Sequence, residues 1–318
     1  MSWRDRLLDM SVVASFDRTG YRRHARGFDP EDLEVSLTGR RALVTGASGG
    51  LGLATARALA GLGASVLLGS RDEGRAHQAC EAVVRNHRGA DVQPAVFDVG
   101  DLASLRAWAT DHAEEPLDIL VHNAGVLPPR RSTTADGHEQ TVATNLIGPF
   151  ALTWALRDRL KASADPRVVW VSSGGMLTQK LDVDATFDPP EPFDGVVAYA
   201  RTKRAEWVTT GQLQERLGPS VSVQCMHPGW ADTPGVQTSL PRFHRMLKRR
   251  LRTPEEGADT TVWLAARSPR PEPLASFWFD RQTADPYPLP NTRASAEESA
   301  ALWRRLCEAI EISADAPW

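Results

Sequence analysis

The sequence predicts an α/β protein built on a doubly wound sheet of about seven parallel strands, with helices on both faces. Three observations predict it. Short apolar, β-branched runs alternate with helix-length segments from Arg41 to about Asp280. The runs are apolar almost throughout, as in strands covered on both faces, rather than alternating. The first run ends in a glycine-rich turn that opens a helix.

Taken in order, the strand-like runs are RALVT at 41–45, SVLLG at 65–69, VQPAVF at 92–97, LDILVH at 117–122, RVVWVS at 167–172, VSVQCM at 221–226 and SFWFD at 276–280. Helix-length segments at 50–62, 72–88, 101–114, 137–161, 198–217 and 254–267 separate or follow them. Residues 1–40 are a polar, Arg-rich lead-in expected to pack on the body, with Trp3, Leu7 and Leu8 placed for a short amphipathic turn. The main domain is 41–280. Residues 281–294 read as a loop. In 295–312, Leu302, Trp303, Leu306, Ala309 and Ile310 recur at roughly helical spacing, so a final helix is expected to pack on the body.

Composition narrows the function classes. Of 318 residues, 42% are hydrophobic and 24% charged, and 37 basic against 40 acidic residues leave a net charge of −3. That balance gives no electrostatic case for nucleic acid. Three widely spaced cysteines without a CxxC argue against a disulfide framework or a zinc site and fit a reducing, cytoplasmic setting. No apolar run approaches the roughly 18 residues of a membrane span. The N-terminus lacks the apolar core and cleavage site of a secretory signal.

The sharpest local signal is TGASGGLG at 45–52, after a strand and before a helix. In that context Gly46 makes the tight turn, Gly50 lets a pyrophosphate approach the backbone, and Gly52 lets the helix lie close on the sheet. Ser48 and Leu51 belong to the same turn, whose free N–H groups face the phosphates. The turn is expected to bind the phosphates of a dinucleotide, as in Rossmann-type folds; the competing reading is an ordinary Gly-rich strand–helix turn. At the end of the second strand, where NAD sites carry an acid for the ribose 2′-hydroxyl, the chain has Ser70 and Arg71. A guanidinium pairs with the 2′-phosphate of NADP, so NADPH is expected over NADH. The competing role for Arg71 is a solvated helix start. Asp98 and Val99 end the third strand, where a carboxylate can accept from the adenine amino group; nearby Asp101 reads equally as a helix N-cap.

The second signal is Tyr199-Ala200-Arg201-Thr202-Lys203. Positions i and i+4 share a helix face, and a cation near a phenol, whose reference pKa is about 10, favours its ionised form and acid/base work near neutrality. Ser172 and Ser173 close the fifth strand, at the edge where ligands bind in open α/β sheets.

With these residues in hand, the chain resembles the short-chain dehydrogenase/reductase family. The landmarks are TGASGGLG at 45–52, HNAG at 122–125, Asn145, VSS at 171–173, Tyr199 with Lys203, and Pro228-Gly229 followed by Thr233, in the family's order over about residues 40–280. The longer phrases PEDLEVSLTGR at 30–40, VSSGGMLTQKL at 171–181 and MHPGWADTPGV at 226–236 are similar to one branch of it. The resemblance implies Tyr199 as acid/base, Lys203 as the group that lowers its pKa and holds the nicotinamide ribose, and Ser173 as hydrogen-bond donor to the substrate oxygen. It implies that Asn145 helps place Lys203 through a water-mediated relay. It implies that Asn123, Ala124 and Gly125 line the ribose and adenine side, and that Pro228, Gly229 and Thr233 bracket the nicotinamide end. It further implies that helices 137–161 and 198–217 pair across a two-fold axis in a homodimer.

Two departures stand out. His122 replaces the family's usual Asn at a position expected to be structural. The 26-residue step from Ser173 to Tyr199 is long for the family, and with similar lengths in retinol-dehydrogenase-like members it points to a bulky apolar substrate. Substrate loops are expected at 174–198 and 233–253. The basic stretch PRFHRMLKRRLR at 241–252 reads as a solvated amphipathic helix with Phe243, Met246 and Leu247 inward, or as a basic lid for an acidic substrate or a membrane surface. The expected function is hydride transfer between NADP(H) and a small-molecule carbonyl or alcohol. Its rivals are a non-catalytic NADP(H)-binding sensor or scaffold, and a sugar-nucleotide enzyme of the family's extended branch, which the glycine spacing disfavours.

Overall fold

In the computed structural model, residues 12–112 and 116–318 are described. The amphipathic turn expected at Trp3, Leu7 and Leu8 lies outside them. Eight strands form one sheet in the order β3-β2-β1-β4-β5-β6-β7-β8. They are β1 (Arg41–Thr45), β2 (Ser65–Ser70), β3 (Val92–Val96), β4 (Ile119–His122), β5 (Arg167–Val171), β6 (Ser222–Met226), β7 (Phe277–Phe279) and β8 (Gln282–Thr283). The first seven pair in parallel, and the two-residue β8 adds an antiparallel edge to β7. Pro94 sits on β3, the opposite edge, where a missing N–H is tolerated. The strand order reverses between β1 and β4, which opens the crevice where such sheets bind ligands.

The long helices are α1 (Gly50–Gly61), α2 (Glu73–Asn86), α3 (Leu102–Asp111), α4 (Gly148–Lys161), α5 (Gly195–Leu217), α6 (Pro254–Ala266) and α7 (Ala296–Ala309). Neighbouring strand residues serve opposite faces, as the pleat requires. Leu43, Leu120, Val168 and Val223 join a core with α3, α4, α5 and α7. Ala42, Val44, Val121 and Val169 join the other, with α1, α2 and α6. The helix expected over 137–161 is broken: a π-turn at Ala143–Ile147 precedes α4. Among the described residues no helix is long and apolar enough to cross a membrane.

The lead-in is fastened to the body by charge. Asp32 accepts from Trp263 Nε1 at 2.7 Å and from Arg267 Nε at 2.5 Å on and just beyond α6. Asp17 caps the short helix Arg18–His24 and pairs with Arg250 at 2.7 Å. At the other end of the chain, Trp303 of α7 and Trp318 both pack on Phe150 of α4, and Arg216 of α5 lies 3.6 Å from the Trp303 ring centroid. The chain's own C-terminal segment thus covers part of the two helices expected to pair across a two-fold axis.

Candidate functional site

The turn after β1 is braced from β4. Thr45 Oγ1 donates to Val121 O at 3.2 Å and accepts from the N–H groups of Asn123 and Ala124, both at 3.0 Å. Asn123 Nδ2 donates to Thr45 O at 2.9 Å and Gly46 O at 3.3 Å. Gly46 has φ +65°, and a Cβ on Gly52 would lie 2.4 Å from Gly46 O, so α1 rests directly on the turn. Asn123 therefore spends its side chain on holding the glycine loop.

A groove of about 790 Å³ runs along the strand ends. Gly46, Ser48, Gly50 and Leu51 form one wall, and Ser70, Arg71, Asp98 and Val99 the far end. Asn123, Ala124 and Gly125 line its floor, and Thr233 closes it from above. Thr233 also caps the short helix Pro234–Ser239 through Val236 N at 3.2 Å. Gly52 lies behind the turn. Pro228 and Gly229 are turned to Arg252: Pro228 O accepts from its Nη1 at 3.3 Å, and a Cβ on Gly229 would meet its guanidinium at 2.5 Å. The groove suits a dinucleotide, with the glycine turn at one wall and the Arg71 guanidinium at the far end.

At that end Arg71 Nη1 stands 3.8 Å from Asp98 Oδ2, with the arginine side chain 68% exposed. Asp98 Oδ1 accepts from Gly100 N at 2.8 Å, Ser70 Oγ donates to Asp72 O at 3.1 Å, and Asp101 caps α3 through Ser104 N at 3.0 Å. Arg75 also lines this end. It escaped the sequence reading, although it lies four residues after Arg71 at the start of α2.

Asn145 sits in the π-turn. Its Oδ1 accepts from Val126 N at 2.8 Å, and Nδ2 donates to Val126 O at 3.0 Å and Thr202 Oγ1 at 3.1 Å. It thereby reaches α5 beside Lys203. A Cβ on Gly125 would lie 3.5 Å from Asn145 Oδ1 and 3.6 Å from Lys203 Nζ, so both groups approach Gly125, which lines the groove, while Asn145, Ser173, Tyr199 and Lys203 lie outside its lining. Lys203 Nζ lies 5.5 Å from the centre of the Tyr199 ring. Of the serine pair, Ser172 is buried and donates to Lys203 O at 3.0 Å, fastening α5 to β5. Ser173 is half-buried, and its Oγ accepts from Gly175 N at 3.2 Å. Ser173 is thus the serine free to meet a ligand.

Glu206 was not anticipated. Its Oε1 accepts from Lys203 Nζ at 2.6 Å, and Val171 O accepts from the same ammonium at 3.0 Å. Burial opposes the Lys203 charge, but Glu206 and, after it, Tyr199 together outweigh it, so the lysine pKa lies above its ordinary value. Burial pushes Glu206 up to about 7 against the pull of Lys203. His122 is held neutral, its pKa lowered to about 3 by burial and then by Lys203, and its Nε2 meets Thr153 Oγ1 at 2.8 Å. That arrangement is structural, as expected for the position.

The basic stretch divides. Arg250 pairs with Asp17, and Arg252 is buried against Asp280. Phe243 packs edge-on to Trp230, with ring centroids 5.3 Å apart. Met246 corrects the sequence reading: it is 82% exposed rather than inward, because the seven-residue helix Pro241–Leu247 is too short to bury every apolar side chain.

A family model described as short chain dehydrogenase matches residues 40–242. Dehydrogenase/reductase SDR family member 12 of Bos taurus is 40% identical over 301 residues, covering 94% of each chain. Retinol dehydrogenase 14 of Mus musculus is 36% identical over 262 residues, covering 76% of this chain and 78% of that one. A solved structure from Mycobacterium paratuberculosis superposes with a TM-score of 0.70 at 27% identity, over 89% of this chain and 97% of that one. A Beutenbergia cavernae structure, assigned as an NAD(P)-dependent gluconate 5-dehydrogenase and holding NADP at low occupancy, gives a TM-score of 0.59 at 27% identity, covering 73% and 91%.

Proposed function

The chain belongs to the short-chain dehydrogenase/reductase family, and from that premise we propose that it is an NADP(H)-dependent oxidoreductase acting on a carbonyl or alcohol. The observation that carries the proposal is the approach of Lys203 Nζ and Asn145 Oδ1 to Gly125, a residue that lines the groove, with the Tyr199 ring 5.5 Å from Nζ. The residues present fit the dinucleotide: the glycine turn for the pyrophosphate, Arg71 with Arg75 for the 2′-phosphate, and Lys203 for the nicotinamide ribose. When bound, NADPH supplies a hydride.

The chain's part is to orient the substrate oxygen and move a proton. Tyr199 Oη donates its proton to that oxygen as charge develops there. Ser173 Oγ accepts from Gly175 N, which leaves its own hydrogen free to donate to the same oxygen. Lys203 has three N–H donors and spends two on Val171 and Glu206, so one remains for the groove. The long step from Ser173 to Tyr199, folded as the turn Gly174–Thr178 and the helix Val183–Phe187, supports a bulky apolar substrate, as does similarity to a retinol dehydrogenase. Three free, buried cysteines support a reducing compartment such as the cytoplasm.

Tyr199→Phe is the test, read against a panel of ketones, quinones, retinoids and steroids by NADPH absorbance. The substitution keeps the ring and removes the acid/base, so turnover should fall roughly 100- to 10,000-fold with NADPH affinity retained. Substantial turnover by the variant would refute the role of Tyr199. A wild type that binds NADPH and reduces nothing would favour a sensor.

A further inference from the structure

Resting on the reading that Lys203 serves a bound NADP(H), we propose that Glu206 is a positioning residue whose carboxylate holds Lys203 in place and keeps it protonated inside the protein. The two side chains are 4% and 2% exposed, and 2.6 Å separates Nζ from Oε1. Burial at that depth disfavours an ammonium strongly, so an unpaired lysine there gives up its proton.

No other group facing Nζ supplies the missing negative charge. His122 on β4 is neutral, since burial and the lysine's own charge lower its pKa to about 3. Cys225 on β6 is a thiol, with burial raising its pKa well above the ordinary value. Asn145 and Val171 O are uncharged. Tyr199, on the lysine's own helix, is the group that must give and regain a proton. Glu206 is therefore the anion that faces the ammonium among the described residues.

The strongest contact of the carboxylate is with the ammonium itself, Oε1 to Nζ, inside a buried pair. The spacing i, i+3 on α5 puts Glu206 on the same face as Lys203. Removing its charge while keeping its shape should leave Lys203 near its place as a neutral amine, a weaker partner for the ribose and no source of positive field for Tyr199.

Glu206→Gln and Glu206→Asp, measured as the cofactor-binding full chain, test this. NADPH affinity is followed by quenching of tryptophan fluorescence between about pH 6 and pH 9, with melting temperature recorded alongside. Relative to wild type at the same pH, Glu206→Gln should lose about tenfold or more in affinity as the pH rises. Glu206→Asp, whose shorter carboxylate stands farther from Nζ, should lose less and at higher pH. Adding Glu206→Gln to Lys203→Met should bring no pH dependence, because the titrating amine is gone. A level profile for Glu206→Gln, or a uniform loss that tracks a lower melting temperature, overturns the proposal. Should that variant fail to fold, a level profile for Glu206→Asp overturns it equally. A wild type that does not bind NADPH removes the cofactor reading, and this inference with it; pH-independent variants of a wild type that does bind NADPH remove this inference alone.

Discussion

Arg71→Ala should weaken NADPH selectively. A unit charge pair at about 4 Å is worth about 1 kcal/mol in water and about 4 kcal/mol at the effective dielectric of a protein surface. Arg71 is 68% exposed, which puts it nearer the watery limit. The 2′-phosphate carries more than one charge, but it must also draw the guanidinium from Asp98, 3.8 Å away. The balance is about 1.5 kcal/mol, or roughly tenfold in affinity, at the low end of the range for hydrogen bonds to charged groups. NADH, which lacks the phosphate, should change less than about twofold. Asp98→Asn removes the competitor and should tighten NADPH by a few-fold. Both effects should shrink between low and high salt, because exposed charges are screened. Calorimetric titration of each cofactor into wild type and both variants measures this. Equal losses for NADH and NADPH, or a wild type that prefers NADH, would refute the reasoning.

Other consequences follow from groups outside the groove. Asp280→Asn leaves Arg252, 1% exposed, without its carboxylate and should cost about 3–5 kcal/mol in denaturant unfolding; a loss under about 1 kcal/mol would contradict the burial argument. His122 has a folded pKa of about 3 against an ordinary 6.5, so the unfolded chain binds the extra proton and stability falls as pH drops through that window. His122→Asn should therefore hold about 2 kcal/mol more of its pH 7 stability at pH 5 than wild type does; parallel pH curves would contradict a neutral buried imidazole. Because α7 and Trp318 cover part of α4 and α5, light scattering at micromolar concentration should return a single chain, and a dimer would show that those helices pair elsewhere on their surfaces.

The sheet was legible because most of β1 to β7 are apolar runs bounded by turn residues, and burial on both faces writes itself into composition; β3, at the edge and only partly buried, is the weakest of them. β8 was not legible, since two residues carry no pattern. The π-turn was equally hidden. Its apolar residues follow the period of the surrounding helix, and the extra residue is accommodated where Asn145 bonds Val126 and Thr202, contacts made across the fold. Tyr199, Lys203 and Ser173 could be read because spacing and strand position carry their geometry. Glu206 could not. A glutamate in an amphipathic helix reads as surface, and only the packing of α5 against β5 and β6 encloses it. Arg252 was lost in the same way, inside a run of basic residues whose other members mostly face solvent.

What distinguishes this chain from others with the same fold and catalytic set has to be sought outside the shared core, because that set serves many chemistries. The family match spans residues 40–242, while the contacts gathered around Arg252 come from both beyond and before it. Arg252 gathers Asp280, Ser15 O and Phe16 O around itself, and Trp230 N donates to Phe16 O at 2.8 Å. The lead-in is thereby locked to both ends of the loop that follows β6. That lock sets the Phe16 ring against His227, Trp230 and Phe279, and over Gly174, where a Cβ would lie 2.5 Å from it. Gly174 directly follows Ser173. An aromatic side chain from upstream of the family core is therefore fixed one residue from the hydroxyl proposed to orient the substrate oxygen. Arg252 thus joins the lead-in and the loop after β6 into one set of contacts beside the turn that follows Ser173.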